Sequence, residues 1–99
     1  MSAFVIVEIA IHDKEKYREY IQLAPPSIAN YGGKYIARGG KTFSLEGNWE
    51  PERMVILSFP SVKNAQDWWN SPEYAKAKAI RHQTASTKMI ILEGLAEPI

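Results

Sequence analysis

The chain has 99 residues, of which 45% are apolar and 23% are charged, as in an ordinary globular protein, and we interpret residues 1–99 as a single domain. Its net charge of +1 is too balanced for an obligate nucleic-acid binder, and it has no cysteine for disulfide bonds or thiolate catalysis. No apolar run is long enough to span a membrane, and the N-terminus lacks the features of a signal peptide. We therefore expect a cytoplasmic protein that binds neither nucleic acid nor membranes.

The first third of the chain predicts a strand followed by a helical region. Ala3–Ile11 is rich in Val and Ile and ends where charged residues begin, which is typical of a strand. Asp13 can cap a helix over Lys14–Leu23. Two prolines at positions 25 and 26 then predict an interruption, because proline removes a backbone donor. A short second helical segment over Ser27–Tyr31 follows, since proline fits a first turn.

The middle of the chain predicts a strand and a long polar loop. Gly32-Gly33 ends the helical region, with one glycine in the left-handed conformation. Lys34–Arg38 is the second strand, and Gly39-Gly40 forms a turn or bulge after it. We expect Thr42–Leu45 to extend this strand and Glu46–Glu52 to form a loop.

The last half of the chain repeats the pattern of strand, helix and strand. Arg53–Phe59 predicts the third strand, and Ser61 and Ser71 are each placed to cap a helix. The remaining predicted elements are helices over Val62–Asn70 and Pro72–Gln83 and a final strand over Lys88–Glu93. The tail Leu95–Ile99 has no assignment.

This order of elements predicts an α+β fold of the ferredoxin-like βαββαβ type with a four-stranded antiparallel sheet. Two helices on one side can cover only one face of such a sheet, yet both faces of three of the strands are mainly apolar. Val5 and Val7 share one face of the first strand, and Phe4 and Ile6 share the other. A homodimer that buries the second face is therefore expected, with cover by loops or the C-terminal tail as the alternative.

A few polar side chains interrupt the second face as the period-two pattern draws it. These are Glu8, Ser58 and Glu93, and Arg38 shares parity with Ile36 and could lie there too. They could sit at strand ends or at the rim of the dimer. Alternatively, some of them could line a cavity between the sheet and the helices or between protomers.

Five short segments in order resemble the DUF1330 family, a domain of unknown function in the dimeric α+β barrel superfamily. They are Tyr31-Gly32-Gly33-Lys34-Tyr35, Arg38-Gly39-Gly40, Glu46-Gly47-Asn48-Trp49, Phe59-Pro60-Ser61 and Ser71-Pro72-Glu73-Tyr74. The resemblance implies a ferredoxin-like protomer whose sheet packs on a partner's sheet. Many relatives would carry an acidic residue where this chain has Ser58. The superfamily includes cofactor-free monooxygenases, isomerases, haem-degrading proteins and stress-related proteins, so the fold does not settle the function.

A candidate ligand site combines two arginines with a tyrosine. Tyr74 and Arg81 share one helix face with small Ala77 between them, and Arg38 precedes a glycine pair that can re-aim a side chain. We predict that Arg38, Tyr74, Arg81 and Glu8 line a site between the sheet and the second helical region. The arginines would pair there with an anionic ligand, or with an internal Glu8 or Glu93. The alternative is that Tyr74 packs in the core and that Arg81 pairs with a surface carboxylate.

The remaining reactive side chains predict no catalytic centre. His12 and His82 lack metal-ligand spacing, so no metal or cofactor is expected, and the serines fall at helix starts where capping explains them. Two functions stay open. The first is binding or transforming a small apolar or aromatic organic acid without a cofactor, and the second is a non-catalytic interaction or stress-related module. RNA binding is disfavoured because Arg53–Phe59 lacks the Gly-aromatic run of an RNA-recognition motif.

Overall fold

The computed structural model describes residues 2–95, and within them the chain forms four strands and three helices. The order is strand, helix, strand, strand, helix, helix, strand, which confirms the predicted ferredoxin-like arrangement. The bounds are β1 (Ala3–Ile11), α1 (Lys14–Asn30), β2 (Lys34–Arg38), β3 (Arg53–Phe59), α2 (Val62–Trp69), α3 (Pro72–Thr84) and β4 (Ala85–Glu93). Most of the unassigned tail, residues 96–99, lies outside the described part of the chain.

The helix starts follow the predicted capping residues. The side chain of Asp13 accepts a hydrogen bond from the backbone N–H of Lys16, which satisfies one of the free donors of the first turn of α1. Ser61 and Ser71 cap α2 and α3 in the same way. At the other end of α1, Gly32 adopts a φ of +77°, as predicted for one glycine of the pair.

The prediction that the prolines interrupt the first helix is wrong, because α1 continues through Pro25 and Pro26 to Asn30. Burial of the following turn stabilises the continuous helix. Ser27 and Ile28 both lie in the core, and Ser27 accepts a hydrogen bond from the indole Nε1 of Trp68 at 3.1 Å. Packing and a buried hydrogen bond thus outweigh the tendency of proline to end a helix.

Two strand predictions also need correction. Thr42–Leu45 is not a strand but part of an exposed loop over residues 40–52, which we call the arm. Strand β3 starts only at Arg53, directly after Pro51 and Glu52, so among residues 2–95 no partner strand lies beside residues 42–45. Strand β4 is longer than predicted, since it begins at Ala85 directly after α3.

The sheet has the strand order β2-β3-β1-β4 with all neighbours antiparallel. Its helix-facing side carries alternate residues of β1 and β3, which pack with α1, α2 and α3 into one core. Trp68 and Tyr74 are the largest fully buried side chains, and their rings lie 4.2 Å apart between centroids. Trp69, the neighbour of Trp68, is exposed, because adjacent residues of a helix point about 100° apart.

The opposite side of the sheet, which we call the bare face, carries no helix. Ile6 of β1 stands between Ile56 of β3 and Ile90 of β4, and Ile90 is 61% exposed. The register also corrects the predicted faces of β4. Ile90 and Leu92 lie on the bare face, whereas Glu93 pairs with Ala3 and has the parity of the helix-facing side. No helix within residues 2–95 is long and apolar enough to cross a membrane.

Candidate functional site

A cavity of about 160 Å³ lies between α1 and the helix-facing side of the sheet. We call it the inner cavity. Its apolar wall is formed mainly by strand residues and by one indole: Val7, Ile9, Val55, Leu57, Trp68 and Met89. Ile21 and Ile28 of α1 also line it, together with three tyrosines and two arginines: Tyr17, Tyr20, Tyr35, Arg38 and Arg53. The cavity therefore combines an aromatic and aliphatic wall with two cations.

A β-bulge directs Arg38 into this cavity. Strand β2 has an extra residue, Ile36, between Tyr35 and Ala37, so that Arg38 pairs with Val55 and lies on the helix-facing side. Its guanidinium carbon is 4.5 Å from the centroid of the Tyr35 ring. The parity argument that could have placed Arg38 on the bare face beside Ile36 fails because the bulge shifts the alternation by one residue.

Arg53 is the second cation of the inner cavity. It pairs with Ile9 in the register of β1 and β3, and its Nε is buried and donates to no described residue. The guanidinium lies against the backbone of Gly39, where an added Cβ would be 2.9 Å from the guanidinium carbon. Within residues 2–95 neither Arg53 nor Arg38 forms an ion pair with a carboxylate. Arg38 is exposed and Arg53 is half-buried, so the cost falls on the buried Nε of Arg53, which has no acceptor. An anion from outside the chain would supply that acceptor.

The tyrosines of the inner cavity are hydrogen-bond donors at neutral pH. Burial raises the pKa of Tyr17 above its usual value, although Arg53 and Arg81 partly oppose that shift. Burial likewise raises the pKa of Tyr35, and burial followed by the contact with Tyr74 raises the pKa of Tyr20 far above its usual range. None of these phenols is therefore primed to act as a base.

Tyr74 and Arg81 lie beside the inner cavity rather than in it. Tyr74 is fully buried, and its hydroxyl is 2.8 Å from that of Tyr20 and accepts a hydrogen bond from Arg81 Nε at 3.2 Å. Arg81 is itself only 3% exposed, and its Nη1 donates to Thr87 Oγ1 at 2.8 Å. The expected alternative, with Tyr74 in the core, describes the tyrosine correctly, but no carboxylate of the described residues pairs with Arg81.

A second concavity of about 450 Å³, the outer groove, lies between β4 and the two later helices. Arg81, Trp69 and His82 line it together with Thr87. Burial, followed by the charges of Arg81 and Lys78, lowers the pKa of His82, so this imidazole is neutral at neutral pH. The predicted site is thus divided, since Arg38 lines the inner cavity, Arg81 lines the outer groove, and Tyr74 is buried between them.

Glu8 is the sequence-predicted residue that lies apart from the other three. It is on the bare face, where its Oε2 accepts a hydrogen bond from the indole Nε1 of Trp49 in the arm at 3.1 Å. Glu93 likewise makes no ion pair with Arg38. Neither acid neutralises an arginine of the inner cavity, so an internal structural ion pair does not explain Arg38.

Sequence reasoning missed Arg53 and three of the tyrosines. Arg53 was detectable, because it has the parity of Val55 and Leu57 and so shares their helix-facing side. Tyr17 and Tyr20 lie three residues apart on α1, a spacing that is typical of the core-facing side of any helix and so indicates no ligand. Among residues 2–95 there is no cluster of three or more His, Cys, Asp or Glu side chains that could hold a metal ion.

The model of one family, described as a domain of unknown function (DUF1330), matches residues 2–95. No curated protein shows significant sequence similarity to the chain.

Solved structures with the same fold include a protein of unknown function from Rhodopseudomonas palustris. It has 21% identity and a TM-score of 0.76, and the alignment covers 97% of this chain and 84% of that one. A dimeric ferredoxin-like protein of unknown function from Jannaschia sp. CCS1 has 8% identity, a TM-score of 0.72 and coverage of 95% and 100%. SnoaB, a cofactor-independent oxygenase from Streptomyces nogalater, has 6% identity, a TM-score of 0.68 and coverage of 97% and 95%. At these identities the similarity shows the fold alone.

The contact between Gly39 and Arg53 predicts that Gly39→Ala destabilises the folded protein. Gly39 has a φ of +71°, and a methyl group there would overlap Nη1 of Arg53. We expect the free energy of unfolding to fall by at least about 1 kcal/mol in urea denaturation, since strained backbone alone costs that much. Gly40→Ala is the matched control, because a methyl group on Gly40 meets nothing within 4 Å. Equal stability of the two variants would contradict the described position of Arg53.

Proposed function

Because this chain belongs to the DUF1330 family, whose function is unknown, we propose its function from its own side chains: it binds a small apolar or aromatic organic acid in the inner cavity, without a cofactor, as a homodimer. The observation that carries the proposal is the pair of arginines at this cavity, Arg38 and Arg53, which have no carboxylate partner among residues 2–95. A carboxylate can accept two parallel hydrogen bonds from a guanidinium, which gives both charge and direction.

The unpaired nitrogen of Arg53 is the strongest part of this argument. A buried donor with no acceptor costs about 1–3 kcal/mol, and more when the group is charged. The Nε of Arg53 is buried in this way, and its side chain lines the inner cavity. A ligand carboxylate in the cavity would relieve this cost, which supports an acid over a neutral hydrocarbon.

The size and wall of the inner cavity restrict the acid. Its volume of about 160 Å³ is below the roughly 300–1,000 Å³ of cavities that hold drug-sized ligands. Trp68 and Tyr35 offer aromatic surface, and Met89 adds an adaptable thioether. These features favour an acid with a single ring. The similarity in fold to SnoaB, a cofactor-independent oxygenase, supports ligand chemistry without a cofactor in this fold but carries no residue role.

The homodimer follows from the bare face. Phe4, Ile6 and Ile56 are only partly covered there, and Ile90 and Leu92 are 61% and 53% exposed. A large contiguous apolar surface of this kind marks an interface, and the same face of a second copy is a self-complementary cover. The dimeric description of the structure from Jannaschia sp. CCS1, which shares the fold, supports the same assembly.

A second candidate function is a non-catalytic interaction module. The arm favours it, because Phe43 and Leu45 are 81% and 96% exposed at positions that no described element covers. The two candidates differ in one observable, namely whether a small acid stabilises the protein through the inner cavity. An interaction module has no need for unpaired arginines there.

The acid proposal predicts a result for a thermal-shift screen of single-ring aromatic and aliphatic carboxylates. An acid at about ten times its Kd stabilises the folded state by about 1.4 kcal/mol, which is several degrees in Tm for a domain of this size. Arg38→Ala should abolish the shift. Arg38→Lys should lose most of it, because lysine keeps the charge but not the bidentate geometry.

Arg18→Ala is the matched control, because Arg18 is an exposed arginine on α1 that does not line the inner cavity. This variant should keep the full shift. The acid proposal fails if no carboxylate stabilises the wild type while Arg38→Ala only lowers its Tm, and the interaction module is then favoured.

The dimer predicts that Ile56→Asp weakens self-association, because it places a charge in the middle of the bare face. Light scattering after size exclusion at micromolar concentration should give twice the chain mass for the wild type and a shift toward the single-chain mass for the variant. Ala75→Asp, on the exposed side of α3, adds the same charge elsewhere and should remain dimeric. A monomeric wild type would refute the dimer, and a fully dimeric Ile56→Asp would show that another surface forms it.

A further inference from the structure

A chain of side-chain hydrogen bonds connects the outer groove to the inner cavity. Arg81 Nη1 donates to Thr87 Oγ1 at 2.8 Å, and Arg81 Nε donates to the hydroxyl of Tyr74 at 3.2 Å. The hydroxyls of Tyr74 and Tyr20 are 2.8 Å apart. Arg81 and Thr87 line the outer groove, whereas Tyr20 lines the inner cavity. Tyr74 is fully buried between them.

The hydrogen atoms in this series of hydrogen bonds have one consistent arrangement. A guanidinium can only donate, so the hydroxyl oxygen of Tyr74 accepts from Arg81. The Tyr74 hydroxyl then has its own hydrogen to place, and Tyr20 is its remaining partner among the described residues. A buried hydroxyl hydrogen without an acceptor is unfavourable, so Tyr74 donates to Tyr20. The hydrogen of Tyr20 is then left without an acceptor among residues 2–95.

We propose that Tyr20 donates this hydrogen bond to a neutral oxygen acceptor of the ligand, so that the inner cavity selects an aromatic carbonyl compound over a hydrocarbon of the same shape. Tyr74 and Arg81 are positioning residues. They fix the direction of the Tyr20 hydrogen and polarise it through consecutive hydrogen bonds. The proposal shares the cavity with the proposed function but does not depend on Arg38 or Arg53.

The chemistry of Tyr20 agrees with a donor role. Burial and the contact with Tyr74 raise its pKa, so the phenol keeps its hydrogen at neutral pH. Together with the arginines, this donor describes a ligand with two separate acceptors, a carboxylate and a carbonyl oxygen, on one ring. Aromatic keto acids and formyl acids are the corresponding chemical class.

Two uncharged probes isolate Tyr20 from the arginines. Acetophenone has a carbonyl oxygen and no carboxylate, and cumene has nearly the same shape with no acceptor. Their affinities are measured by titration of the ¹⁵N-labelled full chain, with NMR shifts of backbone amides around the inner cavity. We expect acetophenone to bind wild type about three- to tenfold more tightly than cumene, as one hydrogen bond provides.

Two variants test the donor Tyr20 and the positioning residue Tyr74 separately. Tyr20→Phe should bring the two affinities together and leave that of cumene unchanged. Tyr74→Phe should reduce the preference for acetophenone without affecting cumene, which a purely structural role of Tyr74 would not do. Tyr31→Phe is the matched control, because Tyr31 does not line the inner cavity and its hydroxyl donates to Glu73, so this variant should keep the preference.

Equal binding of acetophenone and cumene to the wild type overturns the proposal, as does a preference that survives Tyr20→Phe or the absence of binding by either probe. The wild-type comparison needs no variant, so it decides even where a substitution unfolds the protein. Acids that bind through Arg38 without any preference for acetophenone would refute the Tyr20 proposal alone. A Tyr20-dependent preference for acetophenone without acid binding would refute the proposed function alone.

Discussion

The structure depends on one constraint, which is that all three described helices pack on the same side of a four-stranded sheet. The helix-facing side contains the core and the inner cavity, and the bare face keeps a partly exposed row of large apolar side chains. In a sheet with one helical layer, the helices bury one side, and the other side needs a different cover. On one side the chain places aromatic rings and arginines around a small cavity, and on the other it leaves a surface that suits a second copy.

The local feature with the largest effect on the site is the bulge in β2. One extra residue, Ile36, changes the parity of the strand, so that Tyr35 and Arg38 both lie on the helix-facing side. Gly39 then turns away with a positive φ and leaves space for the guanidinium of Arg53. Two cations thus come to one cavity through backbone geometry, without a carboxylate to neutralise them. Only the buried Nε of Arg53 is left without an acceptor, since Arg38 is exposed to solvent.

The hydrogen bonds from Arg81 through Tyr74 to Tyr20 also place polar groups in the core of the protein. Tyr74 is in the middle of the core, and the only hydrogen bonds of its hydroxyl among the described residues are to Arg81 and Tyr20. A phenylalanine would fill nearly the same volume without the need to satisfy a polar group. The tyrosine hydroxyl, however, supplies the acceptor that the buried Nε of Arg81 requires, and its hydrogen bonds connect the two cavities of the protomer.

Much of the fold was predictable from the sequence, because short-range chemistry determines it. Asp13, Ser61 and Ser71 cap the helices where their side chains predict, and the apolar alternation of β1 and β3 gives the correct core face. Features that depend on distant contacts were not predictable. Helix α1 continues past its two prolines because Ser27 is buried. The register with β1 reverses the predicted faces of β4. The same holds for the site: the sequence identified Arg38 as a candidate, but the face on which Arg38 lies depends on the bulge in β2.

The helix-covered side of the sheet is proposed to bind a small acid, and the bare face is proposed to bind a second copy. A crystal of the full chain grown with 4-bromobenzoate tests both parts at once, because anomalous scattering locates the bromine without reference to the protein. We expect one bromine peak in the inner cavity of each chain, with the carboxylate on Arg38 and Arg53, and two chains packed through their bare faces. A bromine peak on the bare face or only in the outer groove, with Arg53 Nε still unpaired, would contradict this expectation.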